Sequence, residues 1–226
     1  MSNTKAPETS AARGRTLGAT GPLRLWRSSD RLILASTSAG RRHLLESAGL
    51  SFDIEAARID ERALEKAFLS GGGSPDDLAA RLARAKAVEV SERNPDALCL
   101  GADQTLSLDG AILHKPADLE AAAAQLQRLA GRRHSLVSAF CFARGGAPLF
   151  VGRDAAVLTM RALDEAAIRL YLALAAPAAV ASVGAYQIEG LGVHLFERIE
   201  GDYATIQGLP IIGVLAWLRA DGRLSL

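Results

Sequence analysis

Leu32-Ile33-Leu34-Ala35-Ser36-Thr37-Ser38-Ala39-Gly40-Arg41-Arg42-His43-Leu44-Leu45 decides the reading of this chain. Its apolar opening has the length and composition of a buried strand. Hydroxyl residues and a small pair follow, and then two arginines begin a helix. Leu44, Leu45 and Ala48 give that helix an apolar face, and Gly49 stands where a left-handed residue would end it. The first turn of a helix has backbone N–H groups without acceptors and carries partial positive charge. Ser36 and Ser38 add hydroxyls, and Arg41 and Arg42 add fixed charge with forked donors. The set suits a phosphate group. The same residues also fit an ordinary strand-to-helix turn with solvated arginines.

Upstream of this stretch, residues 1–28 are polar, rich in small residues and without sustained periodicity, which predicts a disordered leader. Lys5, Arg13, Arg15, Arg24 and Arg27 face only Glu8 there, a net of +4; the whole chain carries +1, which leaves −3 for the remainder. A slightly acidic body argues against stable, sequence-independent nucleic-acid binding. No apolar run has the length of a membrane span, and no apolar region follows the early basic residues as in a secretory signal. Residues 29–226 are expected to form a single domain with a substantial core. Cys99 and Cys141 lie inside apolar runs, which suits small buried hydrophobes in a reducing, cytoplasmic setting.

Downstream, Phe52–Ala56 alternates like a strand, and Ile59-Asp60-Glu61 leads a weak helix toward Gly71-Gly72-Gly73. Ser74-Pro75-Asp76-Asp77 is a strong helix start, and Asn94-Pro95 a stop. Within that helix Lys86 falls beside the apolar stripe of Leu78 and Leu82, so it either snorkels or meets a negative charge in a cleft. Ala97–Ala102 reads as a buried strand delivering Asp103 at its carboxyl end, where ligands bind in open α/β sheets. Asp109-Gly110 marks a hairpin, and Lys115-Pro116 an extended segment. Asp118 caps a helix closed by Gly131. Two long strands, His134–Ala143 and Phe150–Arg161, flank Gly145-Gly146. Asp164 caps a helix expected to break before Pro177. Strands are expected over Val183–Glu189 and Val193–Ile199, and a last helix after Pro210. The alternation predicts a three-layer α/β domain with a mixed sheet.

Taken together, the candidate site residues are Ser36, Arg41, Arg42, Glu61, Lys86, Asp103 and Lys115. Four cations suit a polyphosphate, and two carboxylates suit a hydrated Mg²⁺ and an attacking water. Taken singly, each has a plainer reading as a cap, a surface charge or a snorkelling side chain. His43, His114, His134 and His194 are scattered without ligand spacing and are expected to be structural or exposed.

The ordered motifs give the chain a specific likeness. Ala35-Ser36-x-Ser38-x-x-Arg41-Arg42-x-Leu44-Leu45, Ile59-Asp60-Glu61, Leu82-Ala83-x-x-Lys86-Ala87 and Gly101-Ala102-Asp103-Gln104 resemble the Maf family. Asp109-Gly110 through Lys115-Pro116, Glu189-Gly190-Leu191-Gly192, Glu200-Gly201-Asp202-Tyr203 and Gly208-Leu209-Pro210 do so too. The resemblance runs from about Arg31 to Gly222. It implies an inosine-triphosphatase-like fold with a cleft between lobes, often a homodimer. It also implies a nucleoside triphosphate pyrophosphatase that uses Mg²⁺ or Mn²⁺ and releases NMP and pyrophosphate. Carried over by position, Asp103 is the proton acceptor, Glu61 an acid near the metal, and Lys86 and Lys115 phosphate-side lysines. Ser36 and Arg41 match the signature turn.

Three positions tied to base choice in the family are here Gly40, Gln104 and Glu189. Arg, Thr and Gln mark the branch acting on dTTP and UTP; Trp, Gln and Glu mark the branch acting on 7-methyl-GTP. Gln104 and Glu189 agree with the second, whereas Gly40 replaces its aromatic and removes a stacking platform. A glutamate can accept hydrogen bonds from a guanine amino group and ring N–H. The expected function is removal of non-standard or modified nucleotides. The alternative, from a different class, is a nucleotide-binding regulator of cell division and septum formation acting through protein contacts.

Overall fold

The computed structural model describes residues 25–226. Most of the expected leader lies outside the described residues. Its last residues, Leu25 and Trp26, pack on the body, and Trp26 bridges to Leu224 at the other end of the chain.

Local signals set most element boundaries. Strand β1 (Leu32–Leu34) is wholly buried, and Ser38 caps helix α1 (Ala39–Ser47) by accepting from the Arg41 amide. Gly49 takes φ +72, as the left-handed stop requires. Strand β2 (Asp53–Ile54) is shorter than expected. Asp60 caps α2 (Glu61–Ser70), Ser74 caps α3 (Pro75–Arg93), and Asp118 caps α4 (Leu119–Leu129). Asp109 and Gly110 both take positive φ and join β3 (Leu98–Leu108) to β4 (Ala111–Leu113). Strands β5 (Arg133–Arg144) and β6 (Ala147–Met160) form the long central hairpin.

The seven strands make one mixed sheet in the order β2-β1-β3-β5-β6-β7, with β4 beside the far end of β3. β3 spans the molecule. Its first half pairs in parallel with β1, ending at Leu34 opposite Leu100, and its second half pairs with β4 from Leu106 onward. Between those partners one edge of β3 is open, and Asp103 sits at the middle of the opening. The expected strand end at Asp103 is therefore corrected. β5 pairs with β3 from Cys99 to Ser107 and carries the strand straight through Asp103. The carboxyl end of the parallel ladder still falls just before Asp103, so the ligand-binding logic of such ends is retained.

The two faces of β3 differ. Leu98, Leu100, Ala102, Leu106 and Leu108 face one side with Phe140 and Phe142 of β5. At one end α7 (Ile211–Ala220) covers that face through Val214 and Leu218. At the other end α4 and α5 (Glu165–Ala181) cover it. The Phe142 and Trp217 rings stack at 4.1 Å. The opposite face is lined by small residues, Ala139, Cys141 and Ala143, and α3 lies on it through Ala79, Ala83 and Ala87. The approach is closest at Gly101, where a Cβ would stand 2.3 Å from the Ala83 carbonyl oxygen.

The helix capped by Asp164 breaks where expected, at the non-helical Ala175 (φ −119, ψ 16) before Pro177, and a second helical stretch continues to Ala181. Pro177 removes one amide and crowds the preceding turn, which breaks the regular helix there. A further expectation changes. Val183–Glu189 is a loop rather than a strand, followed by a 3₁₀ turn at Leu191–Leu195, β7 (Phe196–Glu200) and the short helix α6 (Tyr203–Ile206). Ala185 takes φ +60, incompatible with a strand. The loop's carbonyls find side-chain donors in place of a ladder. Gln125 donates to Val183, Tyr171 Oη to Ala185 and Tyr203 Oη to Ile188.

Candidate active site

The open edge of β3 forms the floor of a cleft of about 700 Å³. Its walls come from the Ser36–Arg41 turn, the start of α2, the segment after β4 and the Ser182–Glu189 loop. Asp103 points toward α3, where Lys86 Nζ donates to Asp103 Oδ1 at 2.6 Å and lies 3.0 Å from Glu61 Oε2. Lys86 is only 7 % exposed, so of its two sequence readings the cleft partner is the correct one. A buried ammonium is tolerated because two carboxylates compensate it.

Across the cleft, Arg41 is held on three sides. Its Nε donates to the Gly208 carbonyl at 2.9 Å, its Nη1 donates to Ser36 Oγ at 3.0 Å, and its Nη2 lies 4.0 Å from Asp103 Oδ1. Burial lowers its pKa from the ordinary guanidinium value, and Asp103 and then Glu61 oppose that shift. Ser36 Oγ also accepts from the Ser38 amide, so the turn is braced from within. Arg42 departs from expectation. One residue further round the helix, it points out of the cleft and lies 3.6 Å from Glu46 on the exposed face. Lys115 lines the cleft, is exposed, and has no ion pair among the described residues.

Gln104, the next residue after Asp103, points to the opposite face. Its Nε2 donates to Ser138 Oγ, the Thr205 carbonyl and the Ile206 carbonyl, all within 3.0 Å. Two of these partners can only accept, so the amide nitrogen is fixed toward them and the side-chain carbonyl alone is left for the cleft. Ser138 Oγ donates to the same Thr205 carbonyl at 2.7 Å. Gly40 also lines the cleft, and a Cβ there would come within 3.1 Å of the Gln207 carbonyl oxygen. Glu189 closes the far end beside Tyr203, whose phenol pKa is raised by burial first and by Glu189 second.

A family model described as Maf-like protein matches residues 31–221. The chain belongs to the Maf-like family. Its relatives include a protein of Mesorhizobium japonicum named 7-methyl-GTP pyrophosphatase, 52% identical over 197 residues, covering 87% of this chain and 99% of that one. A Brucella abortus protein of the same name is 49% identical over 191 residues, 84% of this chain and 96% of its own. A Rhodopseudomonas palustris protein named nucleoside triphosphate pyrophosphatase is 50% identical over 201 residues, 89% of this chain and 98% of its own.

The structure of this Maf-like chain brings together Ser36, Gly40, Arg41, Glu61, Lys86, Asp103, Gln104, Lys115 and Glu189, and leaves Arg42 outside. It adds groups that sequence reading missed. The Gly208 carbonyl aims Arg41, and Gly208 takes φ +104, a conformation visible in sequence only as a glycine in Gly-Leu-Pro. His114 lines the cleft and faces Glu65 at 3.3 Å. Arg62, beside Glu61, lines it as well. Among the described residues no three His, Cys, Asp or Glu side chains converge as a metal shell. Asp103 and Glu61 each turn one oxygen to Lys86, while Asp103 Oδ2 and Glu61 Oε1 receive no hydrogen bond from the described residues. Two free carboxylate oxygens facing the cleft fit the sparse protein ligation of Mg²⁺, which completes most of its shell with water.

Proposed function

We propose that this chain is a nucleoside triphosphate pyrophosphatase that clears modified nucleotides, with a guanine-type base, 7-methyl-GTP first, as its preferred substrate. One observation carries the reaction class: a buried Lys86 ammonium held between Asp103 and Glu61, opposite the Arg41 turn, in a nucleotide-sized cleft. The curated names of the relatives at about half identity agree with it.

The first-turn amides of α1 and the buried Arg41 guanidinium bind phosphate oxygens, and Lys115 neutralises charge from the opposite wall. Asp103 accepts the proton of the attacking water, and the α–β phosphoanhydride separates into NMP and pyrophosphate. Lys86 fixes the orientation of both carboxylates. Asp103 and Glu61 would hold the Mg²⁺ or Mn²⁺ ion, whose bound charge neutralises phosphate oxygens and acidifies water. Glu189 and the Gln104 carbonyl offer only acceptors to a base, which supports guanine through its amino group and ring N–H. The buried free cysteines fit a reducing cytoplasm. No helix of the described residues is long and apolar enough to cross a membrane. The regulatory alternative gains no support from this site, since recognition alone does not require Asp103 to face the cleft.

The test is release of NMP and pyrophosphate, with Mg²⁺, from 7-methyl-GTP, GTP, dTTP, UTP, CTP and ITP. Fastest turnover of 7-methyl-GTP is expected. A preference for dTTP or UTP would overturn the base assignment, and release of NDP with phosphate would overturn the reaction class.

A further inference from the structure

The cations of the cleft are not equally available to a polyphosphate. Lys86 is occupied by Asp103 and Glu61. Arg41 is tied to Gly208, Ser36 and Asp103, and His114 faces Glu65. Lys115 and Arg62 line the same cleft, and neither has an ion pair or side-chain hydrogen bond among the described residues.

Arg62 gains nothing from its own helix. It is the second residue of α2, whose Asp60 cap and Glu61 suit the positive end of the helix dipole and whose arginine does not. Its partner at i+3 would be Glu65, but Glu65 faces His114 at 3.3 Å instead. Four residues on stands Lys66, a like charge. The fold supplies no reason for a cation at this position, whereas the cleft does.

We propose that Arg62 binds the pyrophosphate end of the substrate, the portion that leaves. The proposal rests on the pyrophosphatase reading of this site. The reacting phosphate must lie at Asp103, within reach of Arg41 and Lys86. The outer phosphates then fall to the cations that remain unpaired. A guanidinium can grip two phosphate oxygens at once, and an exposed one can release them with the product.

The experiment compares product inhibition of the wild type, Arg62→Ala and Arg62→Lys by inorganic pyrophosphate and by NMP. Arg62→Ala is expected to weaken pyrophosphate inhibition about tenfold, from loss of one charge-assisted contact. Inhibition by NMP and the thermal midpoint stay as in the wild type, and Arg62→Lys restores part of the loss. Unchanged pyrophosphate inhibition, or equal weakening toward both products, would overturn the role of Arg62. If the wild type splits no triphosphate to NMP and pyrophosphate, the functional reading fails separately. Calorimetric titration of inorganic pyrophosphate then decides the Arg62 question alone: weaker binding by Arg62→Ala supports it and equal binding overturns it.

Discussion

Asp103 and Gln104 are adjacent on one strand, yet they serve opposite faces of the sheet by different physics. Asp103 and Lys86 are buried on the face covered by α3, in an ionic cluster completed by the exposed Glu61. Gln104 sits in a neutral clamp, its amide joining β3 to Ser138 and to the carbonyls of Thr205 and Ile206. Alternation along a strand thus assigns an ionic cluster to one face and a neutral architectural clamp to the other. Because the strand edge between them is open, both reach the same cleft.

The ionic face depends on a close helix approach, which makes Gly101 its weakest point. Gly101→Ala would place a Cβ 2.3 Å from the Ala83 carbonyl oxygen and 2.5 Å from the Ala87 amide nitrogen, both backbone atoms that cannot swing aside. A loss of about 3 kcal/mol or more in urea unfolding is expected, with Lys86 displaced along with α3. A variant as stable as the wild type would break the idea that α3 sits tightly on this strand.

The other face carries a pH dependence. His134, buried and bonded through Nε2 to Tyr186 Oη at 2.7 Å, has its pKa lowered from 6.5 to about 4 by burial. Below pH 6.5 the unfolded chain takes up a proton that the folded chain refuses until about pH 4. Stability therefore falls as pH drops across that window, by at most about 3 kcal/mol from this group. Unfolding midpoints of wild type and His134→Gln should converge toward pH 4 from a gap at pH 7. A constant gap would contradict the assignment.

Gln104→Glu sharpens the contrast between the faces. It sets a carboxylate oxygen against two carbonyls where an amide nitrogen donated, at a cost of about 2 kcal/mol. KM is expected to rise more than kcat falls, since the loss is in positioning. An equal fall in kcat with unchanged KM would place Gln104 in the chemistry.

Legibility follows the range of the physics. Caps, positive-φ turns and apolar runs are local, so Ser74, Asp118, Asp109-Gly110 and the long hairpin could be read from neighbouring residues alone. The strand-to-helix turn at Ser36–Arg41 and the Lys86 face were legible for the same reason. The Val183–Glu189 loop was not, because Gln125, Tyr171 and Tyr203 hold it from three separate helices. Nor was the Gln104 clamp, whose carbonyl partners stand about a hundred residues away, or the outward turn of Arg42, which depends on how α1 is rotated on the sheet.

The central claim is that Asp103, oriented by Lys86, takes the proton of the attacking water. Its most direct test is pyrophosphate release by Asp103→Asn beside the wild type, with circular dichroism confirming the fold. The account predicts a native spectrum and a loss of about a thousandfold or more in kcat, from removal of the base. A folded Asp103→Asn protein with near wild-type turnover would contradict it.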